Sequence, residues 1–172
     1  MMKMSRLVLP SYTVIRDTRE QDGYGWIFDK ADLRKKPPRC DGTIIKTMDT
    51  GDYTLEGYDD ILCIERKTDF SELWVNYSAR KTFEKEMERM RRFKYKYIIV
   101  ESPICTDHFS LSIPQFKNNV PGKALVSWVV AISLFYGVHI IYAGQCGMKY
   151  AQTIFQNVIR IEKDRWKAQD EE

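Results

Sequence analysis

Apolar and β-branched residues recur in short runs through the first half of the chain, and these runs predict strands. The first predicted strand is Tyr12–Arg16, and the second is Thr43–Lys46. Two further runs, Gly51–Leu55 and Ile61–Lys67, flank a polar turn that contains a glycine. Two such runs around a short polar turn are typical of a β-hairpin.

The second half of the chain changes to a helical period. Phe83, Met87 and Met90 fall at i, i+4 and i+7, which predicts a helix over Ser78–Phe93 with one apolar stripe. Tyr97–Glu101 then has the composition of a buried strand. The remaining elements follow in order: a polar loop over 102–120, a helix over Ala124–Tyr136, a strand over Val138–Tyr142 and a helix over Cys146–Lys167.

Strands alternating with helices predict an α/β domain with a mixed central sheet flanked by helices. We expect one domain, residues 1–172, because a chain of 172 residues rarely divides. Hydrophobic residues make up 44% of the chain and aromatic residues 13%, which excludes a wholly disordered protein. The formal charge of +3 (27 basic minus 24 acidic residues) is too small to indicate a nucleic-acid partner by itself.

The four cysteines lie far apart, and no CxxC motif is present. We therefore expect neither a zinc site nor a disulfide framework, and we predict an intracellular protein, nuclear if the source is eukaryotic. Ala124–Cys146 has no charged residue and is long enough to cross a bilayer. Because Gly137 interrupts this run, we favour a buried helix followed by a buried strand and expect no membrane partner.

The predicted hairpin brings charged residues together. If its turn is centred between Tyr58 and Asp59, Asp52 faces Glu65 across the two strands. Lys67 lies two residues further on and shares their face of the sheet. The opposite face then carries four core residues: Tyr53, Leu55, Leu62 and Ile64.

Two adjacent carboxylates repel each other unless a cation lies between them. Oxygen ligands suit Mg²⁺ or Mn²⁺, and such an ion can activate a water molecule next to a phosphate group. A neighbouring lysine can stabilise the negative charge that develops there, so this arrangement can hydrolyse a phosphodiester. The alternative is a solvated hairpin with a surface cluster of charges and no catalysis.

The end of the first strand adds charged residues to this region. Asp17 is a candidate third metal-binding carboxylate, and Arg19 is a candidate phosphate-binding residue. The alternative is an ordinary strand end followed by a turn.

Three ordered motifs resemble the nuclease domain of the XPF family. They are Asp17-x-Arg19-Glu20, Gly51-Asp52-Tyr53 and Glu65-Arg66-Lys67. Members of this family are structure-specific DNA endonucleases of the PD-(D/E)xK superfamily, with a restriction-endonuclease-like core. The resemblance covers residues 12–101 and extends more loosely over a helix-strand-helix region at 121–168.

The resemblance implies a role for each matching residue. Asp52 and Glu65 would bind Mg²⁺ or Mn²⁺ with the help of the Arg66 carbonyl, Asp17 would be a further acidic residue of the metal site, and Lys67 would be the catalytic lysine. The predicted supporting residues are Arg19, Glu20, Arg66 and Glu72, where Glu72 replaces an Asp of the family. Glu86 is nearest to a Gln that the family carries on the following helix.

The family also carries a tandem helix-hairpin-helix module after the nuclease domain, which grips DNA and drives dimerisation. We expect no such module in this chain. We therefore expect a homodimer or a separate DNA-binding partner chain, and the reduced form is consistent with a viral or mobile-element protein.

Basic residues cluster after the hairpin: eight basic and three acidic residues lie between Ser78 and Lys96. Lys81, Lys85 and Arg92 are predicted to share one helix face with Lys96, as a basic stripe that neutralises DNA phosphates. The alternative is a solvated helix with internal ion pairs. The predicted DNA-binding residues are Arg80, Lys81, Lys85, Arg89, Arg92 and Lys96.

Together these features predict a metal-dependent DNA endonuclease that acts on branched or structured DNA in repair, recombination or the processing of viral or mobile-element DNA. One alternative is a catalytically weak DNA-binding or scaffolding protein of the same fold. A nuclease with an RNA-directed or restriction-like role is another.

Overall fold

The computed structural model describes residues 11–20, 23–31, 36, 38–102 and 122–170, with side chains to residue 164. The strands are β1 (Tyr12–Arg16), β2 (Cys40–Ile45), β3 (Tyr53–Leu55), β4 (Leu62–Lys67), β5 (Tyr95–Val100) and β6 (His139–Tyr142). The helices are α1 (Phe70–Ser78), α2 (Arg80–Met90), α3 (Gly122–Tyr136) and α4 (Gly147–Asp170), and a short 3-10 turn at Gly144–Cys146 precedes α4.

The described strands form one mixed sheet in the order β2-β1-β3-β4-β5-β6. β3 runs antiparallel to both β1 and β4, and the other neighbouring pairs are parallel. Helices cover both faces, which confirms the predicted α/β fold with a mixed central sheet. On one face α4 packs over residues such as Tyr53 and Ile64, and on the other α1, α2 and α3 pack over residues such as Cys63 and Ile98.

The predicted hairpin register is confirmed at Tyr53, which pairs with Ile64. Tyr53, Leu55, Leu62 and Ile64 are all fully buried, as expected for the core face. At Asp52 the ladder changes, because its N–H donates to the Ile64 carbonyl at 2.8 Å and its Oδ2 accepts the Arg66 N–H at 2.7 Å. The carboxylate thus replaces a backbone acceptor at the end of the hairpin.

The predicted helix over Ser78–Phe93 is corrected at both ends. The segment contains α2, which begins at Arg80 and ends at Met90, and α1 precedes it. Helix α1 was not predicted. It begins after Asp69, whose Oδ1 accepts the N–H groups of Ser71 and Glu72 at 2.7 and 3.2 Å. Asp69 is therefore an N-cap, a role that short acidic side chains favour.

The charge-free stretch forms α3 and β6, with Gly137 between them. Leu125, Val129 and Ile132 are buried against the sheet. No helix in the described ranges has the length and apolar character needed to cross a membrane. The predicted loop at 102–120 lies almost wholly outside the described residues.

Gly51 fixes the approach of β3 to β4. Its φ is +79°, and a Cβ at this position would overlap with Cys63 Sγ and lie 3.2 Å from the Ile64 carbonyl oxygen. Both the backbone conformation and the missing space therefore require glycine.

Gly51→Ala is expected to lower the free energy of unfolding by about 3 kcal/mol, since it combines a left-handed conformation with overpacking. Gly57→Ala is a matched control, because Gly57 has the same φ of +79° with nothing within 4 Å of the added Cβ. That variant should lose only about 1 kcal/mol. Chemical denaturation measures both, and equal losses would contradict the packing argument.

Candidate active site

Strand β4 presents charged side chains to both faces of the sheet. Glu65 and Lys67 point toward α2, where Lys67 Nζ lies 5.9 Å from the centre of the Phe83 ring and donates to Glu65 Oε1 at 2.5 Å. Both residues are buried. Because ions lose hydration on burial, this pair depends on the close contact between its partners.

Lys67 is surrounded by more negative charge than it can neutralise, from the side chains of Asp52, Glu65 and Glu86. Burial, with the nearby charges of Glu20 and Glu86, raises the pKa of Asp52 to about 7. Burial also raises the pKa of Glu65 well above its usual range, and the Asp52 and Glu86 charges add to this effect. Carboxyl groups in such a setting bind either protons or a cation.

The charge of Lys67 is held by these same carboxylates. Burial lowers the pKa of its ammonium group, but the charges of Glu65 and Glu86 outweigh burial and raise that pKa above its usual value. Lys67 is therefore a protonated hydrogen-bond donor at neutral pH.

Glu86 joins the site from α2. After burial and the Asp52 charge, the charge of Glu86 and its side-chain interaction with Glu65 add to the raised pKa of Glu65. The sequence identified Glu86 only as the residue nearest to a family Gln. A stronger signal was present in its position, since Glu86 lies three residues after Phe83 and four before Met90, both buried.

Asp17 lies at the end of β1 and is 1% exposed. Its Oδ1 accepts the N–H and Nε–H of Arg19 at 2.8 and 2.6 Å, and its Oδ2 accepts the Met48 N–H at 2.6 Å. Although burial raises the pKa of Asp17, these bonds outweigh it and lower that pKa. Both oxygens are thus engaged in holding Arg19 and the 46–50 loop, whereas the sequence placed Asp17 among the metal ligands.

The opposite face of β4 carries Arg66. Its Nη1 contacts Glu20 Oε1 at 2.6 Å, and its Nη2 and Nε donate to Glu101 Oε2 at 2.6 and 2.9 Å. The guanidinium lies 5.1 Å from the centre of the Trp26 ring, and Trp26 Nε1 donates to Glu101 Oε1 at 3.0 Å. Tyr53 Oη donates to Glu20 Oε1 at 3.0 Å. This network connects the segments that follow β1 and β5 to β4, on the sheet face opposite Glu65 and Lys67.

Sequence reasoning found Glu20 and Arg66 as supporting residues but missed Glu101 and Trp26. Glu101 closes a predicted strand, and its acidic side chain at that strand end was the available signal.

Glu72, a predicted supporting residue, lies on α1, where its Oε1 accepts the Thr68 N–H at 2.8 Å. In the family motif an Asp lies four residues after the lysine. In this chain that position is Ser71, one residue before Glu72.

The predicted basic stripe is split. Arg80, Lys81, Lys85 and Arg89 are exposed on α2. Arg92 lies beyond the end of the helix and pairs with Asp49 at 3.0 Å, and Lys96 lies in β5 with its Nζ donating to the Phe93 carbonyl at 2.8 Å. Arg92 and Lys96 therefore do not share a helix face with Lys81 and Lys85, because α2 ends at Met90.

Among the residues that the structure describes, no group of three or more His, Cys, Asp or Glu side chains is arranged to hold a metal ion. The pair Asp52 and Glu65 still fits Mg²⁺ or Mn²⁺, since Mg²⁺ commonly binds one or two carboxylates and keeps water or substrate phosphate as its other ligands. Burial and neighbouring negative charges raise both pKa values, and a cation bound between the two carboxylates would relieve their repulsion.

The pKa of Asp52 predicts a pH dependence of stability in the metal-free protein. Its folded value of about 7 exceeds the usual 3.8, so the folded state holds a proton that the unfolded chain releases near pH 4. The stabilising contribution is full below pH 4 and is lost as the pH rises toward 7. In EDTA, the free energy of unfolding should fall across this window by about 2 kcal/mol more in the wild type than in Asp52→Asn. Parallel curves for the two proteins would contradict the assignment.

Comparison with known proteins extends the resemblance beyond the motifs. The ERCC4 domain family matches residues 16–145, a range that includes every site residue described above. No curated protein matches the sequence. Among solved structures, XPF from Aeropyrum pernix matches with a TM-score of 0.55 and 21% identity, covering 87% of this chain and 61% of that one.

XPF from Aeropyrum pernix in complex with DNA matches with a TM-score of 0.56 and 20% identity, covering 90% of this chain and 66% of that one. The chain thus spans less than two thirds of the length of these relatives. At this identity the structures establish a shared fold, the XPF-like nuclease core, and the family match covers most of the sequence. The chain belongs to the ERCC4 domain family.

Proposed function

We propose that this chain is a Mg²⁺- or Mn²⁺-dependent endonuclease that hydrolyses phosphodiester bonds in branched or structured DNA. The observation that carries the proposal is the group formed by half-buried Asp52 with buried Glu65 and Lys67 on one face of the hairpin. Inactive relatives of nucleases can be recognised by loss of their acids, and here both acids and the lysine remain. The alternative of a catalytically weak scaffolding protein is therefore less well supported.

Each residue has a role that follows from its contacts. Asp52 and Glu65 would hold the divalent cation, which, when bound, polarises a phosphoryl oxygen and lowers the pKa of a water molecule. Lys67 is charged at neutral pH, so it would donate a hydrogen bond to the developing negative charge on the phosphate and would not act as a base. Asp17 would position Arg19, whose side chain is 61% exposed and can meet a DNA phosphate.

The rest of the DNA path would follow α2. Its exposed basic residues are next to Glu86 on the same helix, so they lie near the site and can neutralise phosphates on either side of the scissile bond. DNA is the partner that this surface favours, and one solved relative is itself described as a complex with DNA.

Cleavage tests the proposal. Labelled linear duplex, single strand, flap, fork and four-way junction are incubated with Mg²⁺, Mn²⁺ or EDTA, and cutting is expected only with metal. Asp52→Asn and Lys67→Met should each reduce the rate by about 100-fold or more. Asp49→Asn is the matched control, since the Asp49 side chain is 77% exposed and pairs with Arg92, and it should retain near wild-type cleavage.

Cutting that survives in EDTA or in Asp52→Asn would contradict the proposal. Failure to cut any substrate, together with tight salt-sensitive binding, would favour the scaffolding alternative. Adding RNA forks to the panel distinguishes the proposed DNA endonuclease from the RNA-directed alternative, which predicts cleavage of the RNA forks.

The expected homodimer or partner chain would use the exposed apolar surface of α3. Val130, Leu134 and Phe135 are 51%, 81% and 66% exposed, and clustered apolar residues of this kind mark interaction surfaces. Sedimentation velocity should give a dimer for the wild type and a monomer for Leu134→Glu. Val75→Glu is the control, at a position 54% exposed on α1, and should remain dimeric. A monomeric wild type would exclude the homodimer and favour a separate partner.

A further inference from the structure

A second feature lies beside the candidate site: an open cavity of about 610 Å³. Three segments line it, namely the turn after β1, Arg66 of β4 and the beginning of α1. Arg66 lines the cavity from the face opposite Glu65 and Lys67, and Arg19, which also lines it, interacts electrostatically with Asp52 and Glu65, so the cavity lies at the edge of the candidate site. A cavity of this volume is of the size that holds one small ligand. Its lining residues are Arg19, Glu20, Tyr24, Arg66, Thr68, Asp69 and Glu72.

The acids of this cavity make it a poor site for a phosphate and a better one for an uncharged group. Asp69 uses Oδ1 to cap α1, and Glu72 uses Oε1 to bind Thr68. The second oxygen of each carboxylate takes no part in those bonds and can accept N–H groups from a ligand. Nucleobases carry such N–H groups on a neutral, flat ring.

Tyr24 supplies the matching flat surface. It is 73% exposed, although it lies only two residues before the buried Trp26, so core packing does not account for its side chain. Aromatic side chains exposed beside a nucleic-acid path stack on bases, at a gain of about 1–3 kcal/mol per base. Arg19, also in the lining, has a 61% exposed side chain whose guanidinium is held by Asp17 and the Met48 carbonyl and can still meet the phosphate of the same nucleotide.

We propose that this cavity takes an unpaired nucleobase of the DNA adjacent to the scissile phosphate, with Tyr24 as its stacking surface. Bases inside a duplex are already stacked and paired, so only a nucleotide at a branch, flap or end can enter without the cost of being flipped out. Tyr24 is thereby a specificity-determining residue. This inference rests on the proposed nuclease function and names the feature of DNA that the site selects.

Binding measurements test the inference independently of cleavage. Fluorescence anisotropy in EDTA compares a flap with one unpaired nucleotide at the junction, the same flap with an abasic residue there, and a duplex of equal length. Tyr24→Ala should weaken binding to the base-containing flap about tenfold and change the other two less than twofold. Tyr24→Trp should restore the wild-type value, since it retains an aromatic ring.

Tyr150→Ala is the matched control, because Tyr150 is 46% exposed on α4 and does not line the cavity. Equal weakening of all three DNAs by Tyr24→Ala, no weakening, or failure of Tyr24→Trp to restore binding would each overturn the inference. A protein that shows the Tyr24 effect but never cuts would refute the proposed nuclease function and leave the cavity assignment intact. A protein that cuts normally with no Tyr24 effect would refute the cavity assignment and leave the proposed nuclease function intact.

Discussion

The site depends on one contact, the pairing of Tyr53 with Ile64 between β3 and β4. Because side chains alternate along a strand, this register buries Tyr53 in the core and brings Asp52 beside Glu65 on the other face. A shift of one residue would expose the core face and separate the carboxylates. Gly51 makes the close approach possible, and the Arg66 N–H bound to Asp52 fixes the end of the hairpin.

The charge pattern of β4 explains why both faces of the sheet are built as they are. Glu65, Arg66 and Lys67 are consecutive and largely buried, so each requires an opposite charge. On the α4 face, Glu20 and Glu101 each form an ion pair with Arg66. On the α2 face the acids outnumber Lys67, and burial together with neighbouring negative charges raises the pKa values of Asp52 and Glu65. Clustered acids with raised pKa values beside a lysine are the arrangement expected of a catalytic site.

The sequence predicted the elements that periodicity alone defines: β1 has its predicted bounds, and the hairpin register is as expected. Helix α1 was not predicted, because in the sequence its N-cap, Asp69, is only one more acidic residue after the Glu65-Arg66-Lys67 motif. Asp17 illustrates a different limit. Sequence can place a carboxylate near a site, but one of its partners, the Met48 N–H, comes from a loop 31 residues away whose path no local pattern specifies. Glu86 was identified only as the residue nearest to a family Gln, although its helical spacing from the buried Phe83 and Met90 was a local signal.

Direct titration of the metal tests the central claim most sharply. Electron paramagnetic resonance of added Mn²⁺ counts bound ions without requiring a substrate. We expect saturable binding in the wild type, a loss of affinity of at least tenfold in both Asp52→Asn and Glu65→Gln, and wild-type binding in Asp59→Asn, which removes an exposed acid of the hairpin turn. Equal Mn²⁺ binding by all four proteins would contradict the account, because the paired carboxylates would then not be the metal site.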